Sequence, residues 1–248
     1  MPPKKTTHVN TNSKHSNMAA APSTIHDQLK RRGEKYYPPR FNYLETPTER
    51  LDYFLVLDFE ADTHKSPDVK EIIEFPVLKI NARTLEMESV FHQYVQPIIH
   101  QRLDPFCTKL TGITQEMVDG QPTLSDTLTM FDGWMRKEGL LEKGVNISFV
   151  TCGDWDLKTC LPVNCDYLGI SYPDYLKKWI NIKSYFQTIV GHKGRGMESM
   201  LRDLNLTLDG RHHSGIDDSK NIAKILRELA KRSEKLARGM VEPRVLKR

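Results

Sequence analysis

The 248-residue chain has little cysteine, and its four cysteines are scattered at positions 107, 152, 160 and 165. None belongs to a Cys-x-x-Cys pair, and Cys160 and Cys165 have no His or Cys partner at zinc-ligand spacing. Neither a disulfide framework nor a zinc module is expected. The thiols read as those of an intracellular protein of the cytoplasm or nucleus. Long apolar runs are also missing, since nothing approaches the roughly 18 residues a membrane-spanning helix needs. The first forty residues contain no apolar core of a secretory signal, no acid before Asp27 and no Arg before Arg31. They lack a helical apolar face as well, so organelle import is not expected. No internal repeat is found.

Charge is unevenly placed. Residues 1–40 carry eight Lys or Arg against Asp27 and Glu34, and residues 224–248 carry nine against Glu228, Glu234 and Glu242. Each end is therefore +6, which leaves about −8 for the body given a total of +4. An acidic body suits a divalent-cation site, and basic ends can touch a polyanion.

Residues 1–47, rich in Lys, Ser, Thr, Asn and Pro, show no sustained periodicity and read as a disordered basic extension. Lys30-Arg31-Arg32 there is a short candidate for a nuclear signal or nucleic-acid contact. Residues 48–236 read as one folded domain and 237–248 as a basic tail. Within the domain, strands are expected at Tyr53–Leu57, Glu71–Ile80, Met87–Val95, Ile147–Thr151 and Trp179–Ile182. His64–Lys70 reads as a polar loop, and Pro76 marks the second strand as an edge or a bulge. Helices are expected at Asp104–Leu110, at Gln115–Val118, along Leu124, Leu128, Phe131 and Met135, around Met197–Leu204, and from Asp217 to about Lys235. Three early strands followed by helices argue for an α/β fold with a mixed five-stranded sheet flanked by helices.

The first strand leads directly into Asp58-Phe59-Glu60. On a strand, positions i and i+2 share a face, so both carboxylates project to one side of a dry strand. Two ionised acids there are costly without a cation or hydrogen bonds to compensate. Further acids fall at element ends: Asp154 and Asp156 after the fourth strand, Asp217 and Asp218 at the start of the last helix. Asp217 reads as a dipole partner of its helix. His212 and His213 lie just upstream. Four carboxylates with an imidazole suit two Mg²⁺ ions clamping an in-line phosphoryl displacement, with the His taking the proton of the attacking water.

Asp58-x-Glu60, Asp156 and His213-(x)4-Asp218 resemble the DEDDh pattern of 3′–5′ exonucleases with the DnaQ-like, ribonuclease H-type fold. Asp58-Phe59-Glu60-Ala61, Glu71 to Pro76, Leu110-Thr111-Gly112-Ile113-Thr114, Trp179-Ile180-Asn181 and His213 to Asn221 are similar to the enhanced-RNAi exoribonuclease family. Gly120-Gln121-Pro122 and Cys152 to Lys158 are most similar to its prion-protein-interacting branch. The resemblance covers about residues 50–230.

It implies a 3′–5′ exoribonuclease releasing nucleoside 5′-monophosphates, with Asp58, Glu60, Asp156 and Asp218 holding two Mg²⁺ ions, for which Mn²⁺ substitutes. His213 matches the general base. Phe106 and Trp155 match the aromatic pair around the 3′-terminal base, a role that suits rings binding any base by its π-face. Leu110, Thr111 and Gly112 match the segment against the terminal nucleotide. The implied partner is a single-stranded RNA 3′ end, alone or as the overhang of a structured RNA. Asp154 and His212 are not assigned roles; His212 stands where relatives often have Pro. Asp62 replaces the usual Thr and, by strand parity, is expected beside the catalytic acids, altering metal affinity. No counterpart of the SAP domain of some relatives is expected before the nuclease region, which counts against structured-RNA specificity and leaves the basic tail as the candidate auxiliary contact. A non-catalytic RNA-binding scaffold and a nuclease acting mainly on DNA are the competing readings, since carboxylates see phosphates and not the 2′-hydroxyl.

Overall fold

The fold is built outward from strand β2 (Tyr53–Leu57), whose last four residues are all buried in the computed structural model. Residues 41–42, 50–63, 69–237 and 243–246 are described. Of the extension expected at residues 1–47 only 41–42 are among them, and most of the loop expected at His64–Lys70 and residues 238–242 and 247–248 of the expected tail lie outside them.

Alternation along β2 sends Phe54 and Val56 to one face and Leu55 and Leu57 to the other. The first pair packs with Ile222, Ile225, Leu226 and Leu229 of the long helix α7 (Gly215–Arg232). The second packs with Leu128, Phe131 and Met135 of α3 (Leu124–Lys137), the spacing that the sequence pattern predicts. One strand thus carries a layer of helix on each side.

β2 pairs in parallel with β6 (Ile147–Thr151) and antiparallel with β4 (Ile72–Asn81). β6 pairs in parallel with β7 (Lys178–Asn181), and β4 also takes β5 (Met87–Tyr94) and the two-residue β3 (Glu60–Ala61). The five expected strands are present and the sheet is mixed. Among the described residues, however, it has eight strands. Besides β3, the additions are β1 (Phe41–Asn42) and β8 (Arg244–Leu246), which pair with each other, and β8 continues onto β7. The expected extension and tail therefore each contribute a strand beyond the boundaries at 47 and 237.

Pro76 requires a second correction. Its strand is neither an edge nor bulged there, because β4 has partners on both sides. Continuing the Leu57–Val77 register by one residue places Pro76 opposite Asp58, where the β2 ladder stops before resuming at Glu60–Glu74. A residue without an N–H is tolerated where the ladder is interrupted. That interruption is where the functional residues gather.

The remaining elements are α1 (Pro105–Thr111), α2 (Gln115–Val118), a π-helical turn (Asp156–Cys160) running into α4 (Leu161–Leu168), a 3₁₀ turn (Asp174–Lys177), α5 (Ile182–Val190), α6 (Met197–Asp203) and α8 (Glu234–Ala237). Pro162 has no N–H to donate, and the wide turn immediately precedes it. No described helix is long and apolar enough to cross a membrane.

Candidate active site

Where the ladder breaks, Asp58 and Glu60 project from the face of β2 that carries Phe54 and Val56, the face covered by α7. The first turn of α7 contributes Asp218 from that same side. Carboxylate oxygens of Asp58, Glu60 and Asp218 lie within 4.8 Å of one another. Asp156 completes the group from the π-helical turn, its Oδ1 accepting the Phe59 N–H at 3.0 Å. This bond fills the gap left in the ladder and locks the fourth acid against the Asp58–Glu60 segment.

Two details bring α7 this close. A side chain at Gly215 would place its Cβ 2.7 Å from the Asp58 carbonyl oxygen, so only glycine lets the helix start press on the strand end. Buried Glu74 of β4 accepts from the N–H groups of Gly215 (2.8 Å) and Ile216 (3.1 Å) and meets His92 Nε2 at 2.8 Å. Ser214 makes no side-chain cap, so a carboxylate from a distant strand satisfies the orphan donors and dipole of this helix.

Crowding shows in the titration of the acids. Burial, followed by the charges of Asp218, Glu74 and Asp156, pushes Glu60 up to about 9. Burial and its four acidic neighbours raise Asp58 well above the carboxylate range. Burial lifts Asp218 to about 6 against the pull of the His213 N–H, and lifts Asp156 to about 6 against the Phe59 N–H and Lys183. Four carboxylates so placed cannot all ionise without positive charge among them. Asp218 Oδ1 is buried with no hydrogen-bond partner. An all-oxygen donor set with a bare lone pair at its centre fits Mg²⁺ or Mn²⁺.

His213 lies on the turn before α7 in left-handed backbone (φ 65), its N–H donated to Asp218 Oδ2 at 3.0 Å. Partial burial and His212 lower its pKa, with Asp218 opposing.

Phe106 is 59% exposed and Trp155 43%, which excludes core packing for both. Phe106 rides on α1, capped by Asp104 at its start and ended by Gly112 in left-handed backbone (φ 81). Glu71 fixes the segment leading to α1 by accepting the N–H groups of Ile98, Ile99 and His100 at 2.7, 2.9 and 2.6 Å. The Thr111 hydroxyl is engaged within α1, donating to the Cys107 carbonyl and accepting the Ile113 N–H. The Arg211 guanidinium lies against Gly112, 2.9 Å from where a Cβ would stand.

Asp154 accepts from Trp179 Nε1 and Asn181 Nδ2, each at 3.0 Å, and pairs with Arg244, so it ties β7 and β8 to the end of β6. Asp217 accepts from the Arg211 N–H and Lys220. Asp62 departs from expectation. A register shift between Glu60 and Ala61 breaks the strand parity, and its carboxylate turns to the Asp104 N–H (3.4 Å) at the start of α1. It is not among the charges that raise Glu60.

Three residues escaped the sequence reading. Besides Glu74, Arg211 bonds the Lys109 and Leu110 carbonyls at 2.7 and 3.3 Å, joining α1 to the His213 turn. Lys183 of α5 brings its ammonium beside Gly153 and depresses Asp156. A lone Lys or Arg between motifs carries no local signal of either role.

This sheet, with its acid pair at a strand end, the His on the turn before α7 and the Asp in that helix's first turn, defines the DEDDh class of ribonuclease H-like nucleases. Residues 55–226 match the exonuclease family of the RNase T type, and the chain belongs to that family. It is 56% identical over 189 residues to ERI1 exoribonuclease 3 of Homo sapiens, covering 75% of this chain and 56% of that relative. The chain therefore spans little more than half the length of its curated relatives. The solved nuclease domain of 3′hExo, a DEDDh family member bound to rAMP, is 39% identical. It superposes with a TM-score of 0.70 over 73% of this chain and 92% of that one. A 3′-exonuclease recognising the histone mRNA stem-loop is 37% identical, with a TM-score of 0.70 over 79% of this chain and 86% of that one.

Proposed function

We propose that this protein is a divalent-cation-dependent 3′–5′ exoribonuclease that releases nucleoside 5′-monophosphates. The observation carrying the proposal is the convergence of Asp58, Glu60 and Asp218 within 4.8 Å, with a bare buried oxygen on Asp218 and the His213 imidazole next to it. Asp58, Glu60, Asp156 and Asp218 hold two Mg²⁺ ions, or Mn²⁺ in their place. When bound, these ions supply positive charge for the attacking and leaving oxygens and for the phosphate between them.

The chain's own groups do the rest. Phe106 and Trp155 clasp the terminal base through its faces, so digestion is tolerant of sequence. Leu110 and the backbone at Gly112 lie along the terminal nucleoside. His213 accepts the proton of the attacking water as its oxygen bonds to phosphorus. The P–O bond to the 3′-oxygen of the preceding nucleotide breaks, leaving a new 3′ end and a free 5′-monophosphate. The substrate is a single-stranded RNA 3′ end or the 3′ overhang of a structured RNA, as the stem-loop ligand of the 37% identical exonuclease suggests. The setting is intracellular, in keeping with four free thiols.

Labelled RNA and DNA oligomers of one sequence, digested side by side with Mg²⁺ and with excess chelator, test this reading. Stepwise shortening of RNA from its 3′ end is expected, faster than that of DNA, abolished by chelation and reduced about 10²–10⁴-fold in His213→Ala. Binding without shortening would instead establish the scaffold, and preferential DNA digestion would establish the deoxyribonuclease.

A further inference from the structure

His212 forms a second donor set with its neighbours. Left-handed backbone at His213 turns the two adjacent imidazoles to one side, where they stack 3.9 Å apart at 20°. One nitrogen from each ring and one oxygen of Asp218 all lie within 4.8 Å of one another. His212 Nδ1 is 3.7 Å from Asp218 Oδ2, and both that nitrogen and Asp218 Oδ1 are buried without a hydrogen-bond partner. Buried polar atoms are nearly always satisfied, so a bare His212 nitrogen beside the Asp218 carboxylate calls for a ligand that both side chains can bind.

The donor types choose the ligand. Mg²⁺ takes oxygen, whereas two imidazoles with one carboxylate suit zinc and its transition-metal neighbours. We propose that His212, His213 and Asp218 form a site for a zinc-class ion, separate from the all-oxygen site yet sharing Asp218, and that its occupancy silences the nuclease. The stacked rings hold their lone pairs side by side, so one imidazole swings about its Cβ–Cγ bond to converge on the ion. Water takes the fourth position. Glu198 of α6, whose charge reaches both His213 and Asp218, adds attraction for a cation. The silencing rests on the proposed nuclease reading, because the ion takes the lone pair that His213 needs for the water proton. The binding itself does not.

The full chain, stripped of metal, is titrated with Co²⁺ in saturating Mg²⁺ and followed by visible absorption. One equivalent giving an intense four-coordinate spectrum, bleached by Zn²⁺, is the expected result. His212→Ala and His212→Gln should weaken Co²⁺ binding at least about tenfold. The Zn²⁺ concentration that halves RNA digestion, normalised to each variant's own Mg²⁺-supported rate, should rise by a similar factor. Equal Co²⁺ affinity or equal Zn²⁺ sensitivity in wild type and both folded variants would overturn the site. Should the protein digest no RNA, the spectrum still tests the ion site, so the two ideas fail separately.

Discussion

Strand β2 has two faces that end very differently. Leu55, Leu57 and Phe59 continue into a dry cluster with Phe75, Phe91 and Phe131, whose ring centroids lie 4.6–5.8 Å apart. Phe54 and Val56 lead instead to Asp58 and Glu60, facing two more acids. The aromatic face gains from burial, while the acid face accumulates like charges that repel. The comparison teaches that the first face supplies the rigidity that keeps the second assembled against its own electrostatics.

The largest test separates the two. Asp58→Asn should lower turnover about 10²–10⁴-fold while leaving the metal-free Tm equal or higher, since it removes a carboxyl whose burial among other acids is costly. Phe131→Ala on the opposite face should cost about 3–5 kcal/mol in urea unfolding while the folded fraction keeps its turnover. Turnover lost in fully folded Phe131→Ala would break the comparison. Next in size, Gly215→Ala forces α7 away from the Asp58 carbonyl and should cost turnover about 10²-fold, with a small effect on RNA binding. Unchanged turnover would show that the helix start needs no such close approach.

Phe106→Ala and Trp155→Ala sharpen the picture at the rim. Each should weaken binding of the terminal nucleotide by about 1–3 kcal/mol, raising KM more than it lowers kcat. A fall in kcat with KM unchanged would remove them from base holding. The smallest effect is in pH dependence. Glu60 is pushed up to about 9, and Asp156 and Asp218 to about 6, so the folded protein keeps protons that the unfolded chain releases. Without metal, stability should therefore fall as pH rises from about 5 to 9, by at least a few degrees in Tm. Glu60→Gln should flatten the upper part, and Mg²⁺ should restore most at high pH. A flat profile in chelator would mean the acids do not crowd one another.

Much of this was legible because it follows from short-range geometry. Period two along β2 places Asp58 and Glu60 together, and the start of a helix announces Asp217 and Asp218, between which only the motif resemblance chooses. What was hidden depends on long-range backbone. Glu74 looks like one acid in an apolar strand until Gly215 and Ile216 arrive as donors. Pro76 reads as an edge marker because the interruption that accommodates it belongs to another strand. Asp62 was misplaced by parity because a register shift cannot be seen in residue types. β8 spans three residues, too few for any period to register. His212 reads as incidental until the left-handed backbone of His213 turns both rings one way.

The bond from Glu74 to the Gly215 N–H closes a span of 141 residues. During synthesis, the acid pair on β2 emerges long before the helix that completes the site, and Glu74 waits without its donors. Under the proposed exoribonuclease function, the site is complete only once nearly all of the domain has left the ribosome. The clamp that aligns the reactive groups also sets the moment at which they become dangerous.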